Sequence, residues 1–221
     1  MRPFEEEFQL LNDTLLEMGS LVAQSVRRSV FSLIEKNEDY AHQVLRDESR
    51  IDQMEVQIDD CAAGLIVREQ PVARDMRFVV VAIKINTDLE RMGDLAVNIV
   101  ERSLGLIKQP PLPEPVNLAE IASVVESMVL NSLDAFVKRD AQIARRILSS
   151  DDAVDKLRHE IQRQVVALMQ RDPSTVPRAL DCLIIARCLE RIADHATNIA
   201  EDVIFLVQGV DVRHRAALEV A

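Results

Sequence analysis

The chain has 221 residues, 48% hydrophobic and 29% charged, the balance of a globular protein with one large domain or two small ones. Five glycines, no tryptophan and a 3% aromatic share supply too few turn and strand formers for a β-sandwich or doubly wound α/β sheet, so an all-α fold is expected. A net charge of −11 disfavours nucleic acid or an anionic membrane surface as the main partner, and suits cation binding or docking on a basic protein surface.

In chain order, apolar residues recur at three- and four-residue steps from Phe8 to Ile34, which predicts a first helix. Asn37-Glu38-Asp39 breaks the run and offers an N-cap to a second helix, from about Tyr40 to Val67. Pro71 sits where a first helical turn tolerates it, and a third run extends from about Val72 to Ile107. Four of the eight prolines then fall between Pro110 and Pro115, where no helix continues and an extended, stiff linker is expected. The plan repeats beyond it. A fourth run covers Leu118 to Val137, Asp140 offers a cap to a fifth from Ile143 to Met169, and Pro173 and Pro177 bracket the start of a sixth, from about Arg178 to Val207.

The expectation is therefore two pseudo-symmetric three-helix bundles from an internal duplication, six helices in all. The first would occupy residues 1–109, the linker 110–117 and the second 118–221. Helices of about 25–35 residues would be roughly 40–50 Å long, and their short connections make consecutive ones antiparallel neighbours. Residues 1–110 carry 13 basic and 20 acidic side chains and residues 111–221 carry 13 and 17, so both halves are acidic. No apolar stretch approaches the roughly 18 residues of a membrane span. The acidic start Phe4-Glu5-Glu6-Glu7 lacks the apolar core of a signal peptide, and a cytoplasmic protein is expected. Cys61, Cys182 and Cys188 have no metal-knuckle spacing and read as small core residues.

The decisive signal is a self-match at an offset of 100 residues. Leu89 to Glu101 aligns with Leu189 to Glu201, and eight of the thirteen positions are identical, the charged and amide positions among them. On a helical wheel with Glu90 at zero, Glu101 lies near 20°, Asp94 near 40° and Asn98 near 80°, whereas Ile85, Met92, Ala96 and Ile99 cluster at about 180–240°. An oxygen-bearing ridge thus runs opposite the core stripe. A solvated face is the ordinary reading of one such ridge. Like-charged i, i+4 pairs cost about 0.2–0.5 kcal/mol, however, and here they occur twice without a lysine at i+4. Carboxylate and amide oxygens in one row form a hard-donor array suited to Mg²⁺, Mn²⁺, Ca²⁺ or iron.

A neighbouring helix must close any such site. The second helix carries Glu48, Asp52, Glu55 and Asp59 on one face. The fifth, at an offset of 103, carries Asp151, Asp155, Arg158 and Gln162, with His159 as a possible substitute ligand, so the first site should be the more negative. Arg91 and Arg191 read as ion-pair partners of adjacent-helix carboxylates, and His195 as a satisfied boundary histidine.

The doubled L-E-R-x-x-D-x-A-x-N-I-x-E stretch resembles the PhoU family of bacterial phosphate-signalling regulators. Gln70-Pro71-Val72-Ala73-Arg74-Asp75-Met76-Arg77 is similar to that family's Q-P-x-A-x-D-L-R, with Met76 in place of leucine. The resemblance implies a cytoplasmic, dimeric, non-enzymatic regulator that acts with a Pst-type phosphate ABC transporter, through its ATPase subunit, and with a PhoR-type sensor histidine kinase, to repress the phosphate-starvation response. It also implies metal ions (iron, manganese, magnesium or zinc) on Glu90, Asp94, Asn98 and Glu101 and on Glu190, Asp194, Asn198 and Glu201, with Asp52 and Asp155 donated by adjacent helices. Two other readings stand beside it. One is a di-metal carboxylate enzyme of the ferritin-like kind, although the chain lacks that class's Glu-x-x-His. The other is a plain helical scaffold whose acids only solubilise.

Overall fold

The computed structural model describes residues 3–72 and 74–212, without the side chains of residues 3–5 and 74. Long helices dominate it: α1 (Pro3–Ile34), α2 (Glu38–Glu69) and α3 (Arg74–Ile107) form the first half. The second half has α4 (Leu118–Lys138), α5 (Ala141–Leu148), α6 (Asp151–Arg171) and α7 (Val176–Gln208), with a short 3₁₀ turn at Pro173–Thr175. All six expected helical runs are present. No described helix is long and apolar enough to cross a membrane.

Caps fix the boundaries. The Asn37 side chain accepts from the Asp39 backbone N–H at 2.9 Å and starts α2, and Asp140 accepts from Gln142 and Ile143 and starts α5. Left-handed residues stop the helices: Gln70 after α2, Arg139 after α4 and Gly209 after α7. Pro71 lies outside the first turn of α3, which begins at Arg74, so the expected placement inside that turn is corrected by about one turn.

The fifth run is divided. At Ser149-Ser150 the serine hydroxyls donate to the carbonyls of Arg145 and Arg146, and the Ser150 N–H shifts to an i−3 partner, Ile147. This back-bonding competes with the i−4 ladder and separates α5 from α6. The equivalent positions in the first half are Arg46 and Asp47, which lack such hydroxyls, and α2 runs on unbroken.

Residues 108–117 are non-helical and strapped to the second half. Arg178 donates to the Pro110 carbonyl at 2.7 Å, Gln164 to that of Pro115 at 2.8 Å, and Arg171 makes two hydrogen bonds to Glu114 at 2.7 and 2.8 Å. The halves meet through two antiparallel helix pairs, α1 with α4 and α3 with α7. Phe78 of α3 stacks between Phe8 of α1 and Phe136 of α4, with ring centroids 4.2 and 5.7 Å away. Leu15, Met18, Ile85, Met92, Ile121 and Ile185 are among the fully buried side chains, so the interior is a continuous apolar core.

The α1–α4 approach depends on Gly19. A Cβ there would lie 2.5 Å from Leu133 Cδ2, far inside contact distance. Replacing Gly19 with valine should force Leu133 out of place and cost about 1–3 kcal/mol of stability. The measurable result is a melting temperature lower by about 3–10 °C with the far-UV helical signal unchanged.

Candidate metal centre

The core stripe dictates where the polar residues go. Leu89, Met92, Ala96 and Ile99 of α3 and Ile51, Met54 and Ile58 of α2 are buried, which turns Glu90, Asp94, Asn98 and Glu101 toward the rim of the α2–α3 seam. The backbones come close there because Gly93 has no side chain. A Cβ on it would lie 3.2 Å from Ile51 Cδ1. In the second half the equivalent positions carry Ala193 and, in place of Ile51, the smaller Val154, both buried.

The two ridges of the first half run antiparallel and face each other. Burial, then Asp52, Asp94 and Glu101, raise the pKa of Glu48. Burial, then Asp59, Asp52 and Asp94, raise that of Glu55, and burial, then Asp94, Glu55 and Asp52, raise that of Glu90 against a small opposing effect of Arg91. Glu55 therefore stands against Glu90, and Glu48 lies within reach of both Asp94 and Glu101. Asn86 closes the ladder: fully buried, it donates its amide to Asp59 Oδ1 and to the Glu55 carbonyl, both at 3.0 Å, and its own Oδ1 has no partner. Asn98 donates its amide N–H to the Asp94 carbonyl at 2.9 Å, so its side-chain oxygen is not the bonded atom. Among the described residues, no lysine or arginine forms a salt bridge with Glu48, Asp52, Glu55, Asp59, Glu90, Asp94 or Glu101.

This half is a row of hard oxygen donors, with the proton affinity of Glu48, Glu55 and Glu90 raised and no salt-bridged counter-charge among the described residues, the chemistry that a divalent cation satisfies. The residues fit such an ion. The row is open: among the described residues, no three carboxylate, imidazole or thiolate groups converge tightly enough to enclose one.

The second half is built alike and filled differently. Burial, then Asp194, Asp155, Asp152 and Glu190, raise the pKa of Asp151, so α6 and α7 also face acid to acid. At the rung equivalent to 55 with 90, however, Arg158 sets its Nε 3.1 Å from Glu190 Oε1. Asn198 donates to Asp88 Oδ1 of α3 at 3.3 Å. Burial raises the pKa of Asp194, partly offset by His195 and Arg191, with Asp155 adding to the rise. Glu190 is thus committed to a protein partner, and Asn198 gives its amide N–H to the other half.

The expectations for Arg91, Arg191 and His159 are corrected, and those for His195, Cys182 and Cys188 are met. Arg91 and Arg191 are exposed and, among the described residues, form no salt bridge; they act on Glu90 and Asp194 only through their field. His159 is spent locally, its Nδ1 at 2.7 Å from the Asp155 carbonyl and its Nε2 at 3.3 Å from Arg158, so it does not replace the missing acids. His195 is a satisfied boundary residue, 9% exposed, with Nδ1 2.8 Å from Asp88 Oδ1. Cys182 and Cys188 are buried, and burial followed by Asp181 pushes the Cys182 thiol up to about 11. Asp88 and Asn86 were not singled out by sequence. Asn86 carries a signal, since it precedes Glu90 by four residues on the same face; the partner of Asp88 lies in the other half and has no local signature.

The duplicated ridges, one per half and each lying on the seam of two antiparallel helices, decide the family. A family model described as the PhoU domain matches residues 15–103 and again 118–203. The chain belongs to the PhoU family. It is 39% identical over 212 residues to the phosphate-specific transport system accessory protein PhoU homolog of Pseudomonas aeruginosa, covering 96% of this chain and 88% of that protein. With the phosphate-specific transport system accessory protein PhoU of Escherichia coli K12 it shares 33% over 211 residues, again 96% and 88%. The fold superposes on crystal structures of PhoU from Pseudomonas aeruginosa, with TM-score 0.91, 38% identity and 94% of this chain against 100% of that one. For the phosphate transport system regulatory protein PhoU from Streptococcus pneumoniae the values are 0.87, 28%, 95% and 99%.

The raised pKa values carry a signed consequence. A carboxylate whose folded pKa exceeds its unfolded value holds extra protons in the native state, so it favours folding below the raised pKa and opposes it above. Neutralising Glu48 and Glu55 as E48Q/E55Q should therefore stabilise the metal-stripped protein at neutral pH by about 1–3 °C, removing two like-charged i, i+4 pairs. The gain should shrink as pH falls from neutral into the acidic range, where the wild-type groups protonate themselves. Thermal melts in chelator across that pH range check both statements.

Proposed function

We propose that this chain is a non-catalytic regulator of phosphate transport whose first-half groove binds a divalent or iron cation. Glu90, Asp94, Asn98 and Glu101 of α3 and Asp52 of α2 would hold the ion. The observation that supports the reading best is the uncompensated carboxylate ladder between α2 and α3, within a family whose relatives are named as accessory or regulatory proteins of phosphate transport. An ion there would join two helices that otherwise repel along their exposed edges. It would also offer positive charge to a phosphate or an acidic partner.

In this role the protein sits in the cytoplasm as a homodimer. It links the ATPase subunit of a Pst-type phosphate ABC transporter to a PhoR-type histidine kinase and holds the pair in a repressing complex when phosphate is plentiful. A ferritin-like di-metal enzyme gains no support, because the carboxylates line the rim of the seam and the bundle interior is apolar. The scaffold reading draws on one specific observation, that no three ligating groups converge on a point in the described residues.

Differential melting separates the scaffold from the metal-binding regulator. Manganese at about 100 times its dissociation constant should raise the melting temperature of the chelator-stripped protein by about 5–10 °C. E90Q/D94N should abolish that rise while leaving the metal-free fold intact, and the purified transporter ATPase subunit should be retained by the metal-loaded protein more strongly than by the stripped one. Equal melting temperatures with and without metal would leave only the scaffold.

A further inference from the structure

The two grooves of the duplication occupy the same place in their bundles and answer their own negative charge in different ways. In the first, rung 55–90 sets Glu55 against Glu90, and no basic side chain among the described residues pairs with either. In the second, the same rung sets Arg158 against Glu190, with Nε and Oε1 3.1 Å apart, an ion pair in which Nε makes no hydrogen bond. Arg158 is held in place from its other nitrogens. Nη1 donates to Gln162 Oε1 at 2.9 Å, and Nη2 lies 3.3 Å from His159 Nε2, while His159 is itself anchored on the Asp155 carbonyl. About three-quarters of the Arg158 side chain and of the Glu190 side chain is shielded from solvent, with 26% and 24% remaining exposed.

Further positions of the second ridge are drawn off by the protein. Asn198 gives its amide to Asp88 of α3, which also holds His195, so this amide is turned to the interface between the halves. Its counterpart in the first half, Asn98, stays on its own helix. The acid at position 59 of the first ridge becomes Gln162 at the equivalent position of the second, and Gln162 is spent on Arg158.

We propose that Arg158 is a covalently attached replacement for the metal ion of the second groove, so that this chain binds divalent metal in its first half alone and neutralises its second half with a guanidinium. This rests on the metal reading of the first groove and fixes its stoichiometry and location. The physical ground is exclusion by charge and by donor occupancy. An ion entering the second groove would meet a fixed positive charge at the rung where the first groove offers a second carboxylate, and would have to take Glu190 from a shielded ion-pair partner. The second half is accordingly a static arm whose helix pair is closed whatever the metal supply, and only the α2–α3 pair responds to it.

The test is equilibrium dialysis of the full chain against manganese, with bound metal counted by elemental analysis. E90Q/D94N should weaken binding by at least about tenfold, whereas E190Q/D194N should leave the metal content of the wild type unchanged. R158E restores at the second rung the acid that the first half has, and should add a second class of bound ion, doubling the metal content. Adding E190Q to R158E should remove the gain. Circular dichroism on each variant establishes that it is folded. Should R158E not fold, R158Q serves in its place, with a weaker second site expected because only the blocking charge is removed. Loss of metal in E190Q/D194N, or a folded R158E and R158Q that both bind no more than wild type, would overturn the proposal while leaving the first groove a metal site. Wild-type protein that binds no manganese in either half would overturn both readings together.

Discussion

The α2–α3 seam holds two acidic ridges against each other, and the chemistry proposed for the molecule depends on that forced approach. Burial, and then the charges of Asp52, Asp94 and their neighbours, raise the proton affinity of Glu48, Glu55 and Glu90, so left alone the edges would separate. They are overruled from below. Each fully buried aliphatic side chain contributes about 1.5–3 kcal/mol, and Ile51, Ile58, Leu89, Met92 and Ile99 lie directly under the ridges. A like-charged helix pair costs only about 0.2–0.5 kcal/mol. Packing wins by a wide margin, and the donors are kept assembled by the core and not by attraction to one another. Gly93 sets how closely they stand, since even one methyl group there would press on Ile51.

Duplication supplied two such seams, and the interface between the halves shows how far they have diverged. Helices α3 and α7 are equivalent elements packed antiparallel, so position 102 of one meets the region near 81–84 of the other. Arg102 pairs with Asp181 at 3.6 Å, and its counterpart Asp202 pairs with Lys84. Position 102 thus carries opposite charges in the two halves, and each meets an opposite charge, Asp181 or Lys84, whose own counterparts Val81 and Ile184 are uncharged. A symmetric assignment would set like charges together on at least one side, so the inversion makes the chain's two halves complementary to each other. Asp88 extends the asymmetry: it binds His195 and Asn198, while the equivalent of Asp88 in the second half is the buried Cys188.

What the sequence made legible follows from which forces are local. Helix existence and order were readable because the three- and four-residue apolar spacing that produces them also buries them, and Asn37 and Asp140 announce their caps within three residues. The facing of the two ridges was readable for the same reason, once both had been placed opposite a core stripe. The break at Ser149-Ser150 was not, because serine in a helix is merely unfavourable and becomes a joint only when its hydroxyl bonds back to the preceding turn. The expected ion pairs of Arg91 and Arg191 failed for a rotational reason. Both lie one residue past the ridge, about 100° around the helix, and reach solvent instead of the facing acids. Arg158 was visible as a departure from the acidic pattern. Its partner was not, because Glu190 lies on another helix and only the three-dimensional register makes them one rung.

The joint at Ser149-Ser150 and the guanidinium at Arg158 act in the same direction. Because α5 ends at Leu148, Asp151 and Asp152 occupy the first turn of α6, where unsatisfied backbone N–H groups carry the equivalent of about half a positive charge. The corresponding Glu48 lies in the interior of the unbroken α2 and receives no such help. A helix terminus favours an adjacent carboxylate by about 0.3–1 kcal/mol, which offsets part of what burial and Asp194 cost Asp151. The second groove is thus calmed at one end by a backbone terminus and in the middle by Arg158, while the first has neither. Two unrelated sequence changes, a serine pair and an acid-to-arginine replacement, lower the same negative field, and they do so only in the half whose amide Asn198 has turned away to Asp88. That convergence distinguishes a second groove that carries its own counter-charge from one that has merely lost acids: random thinning would remove donors without placing cations against those that remain.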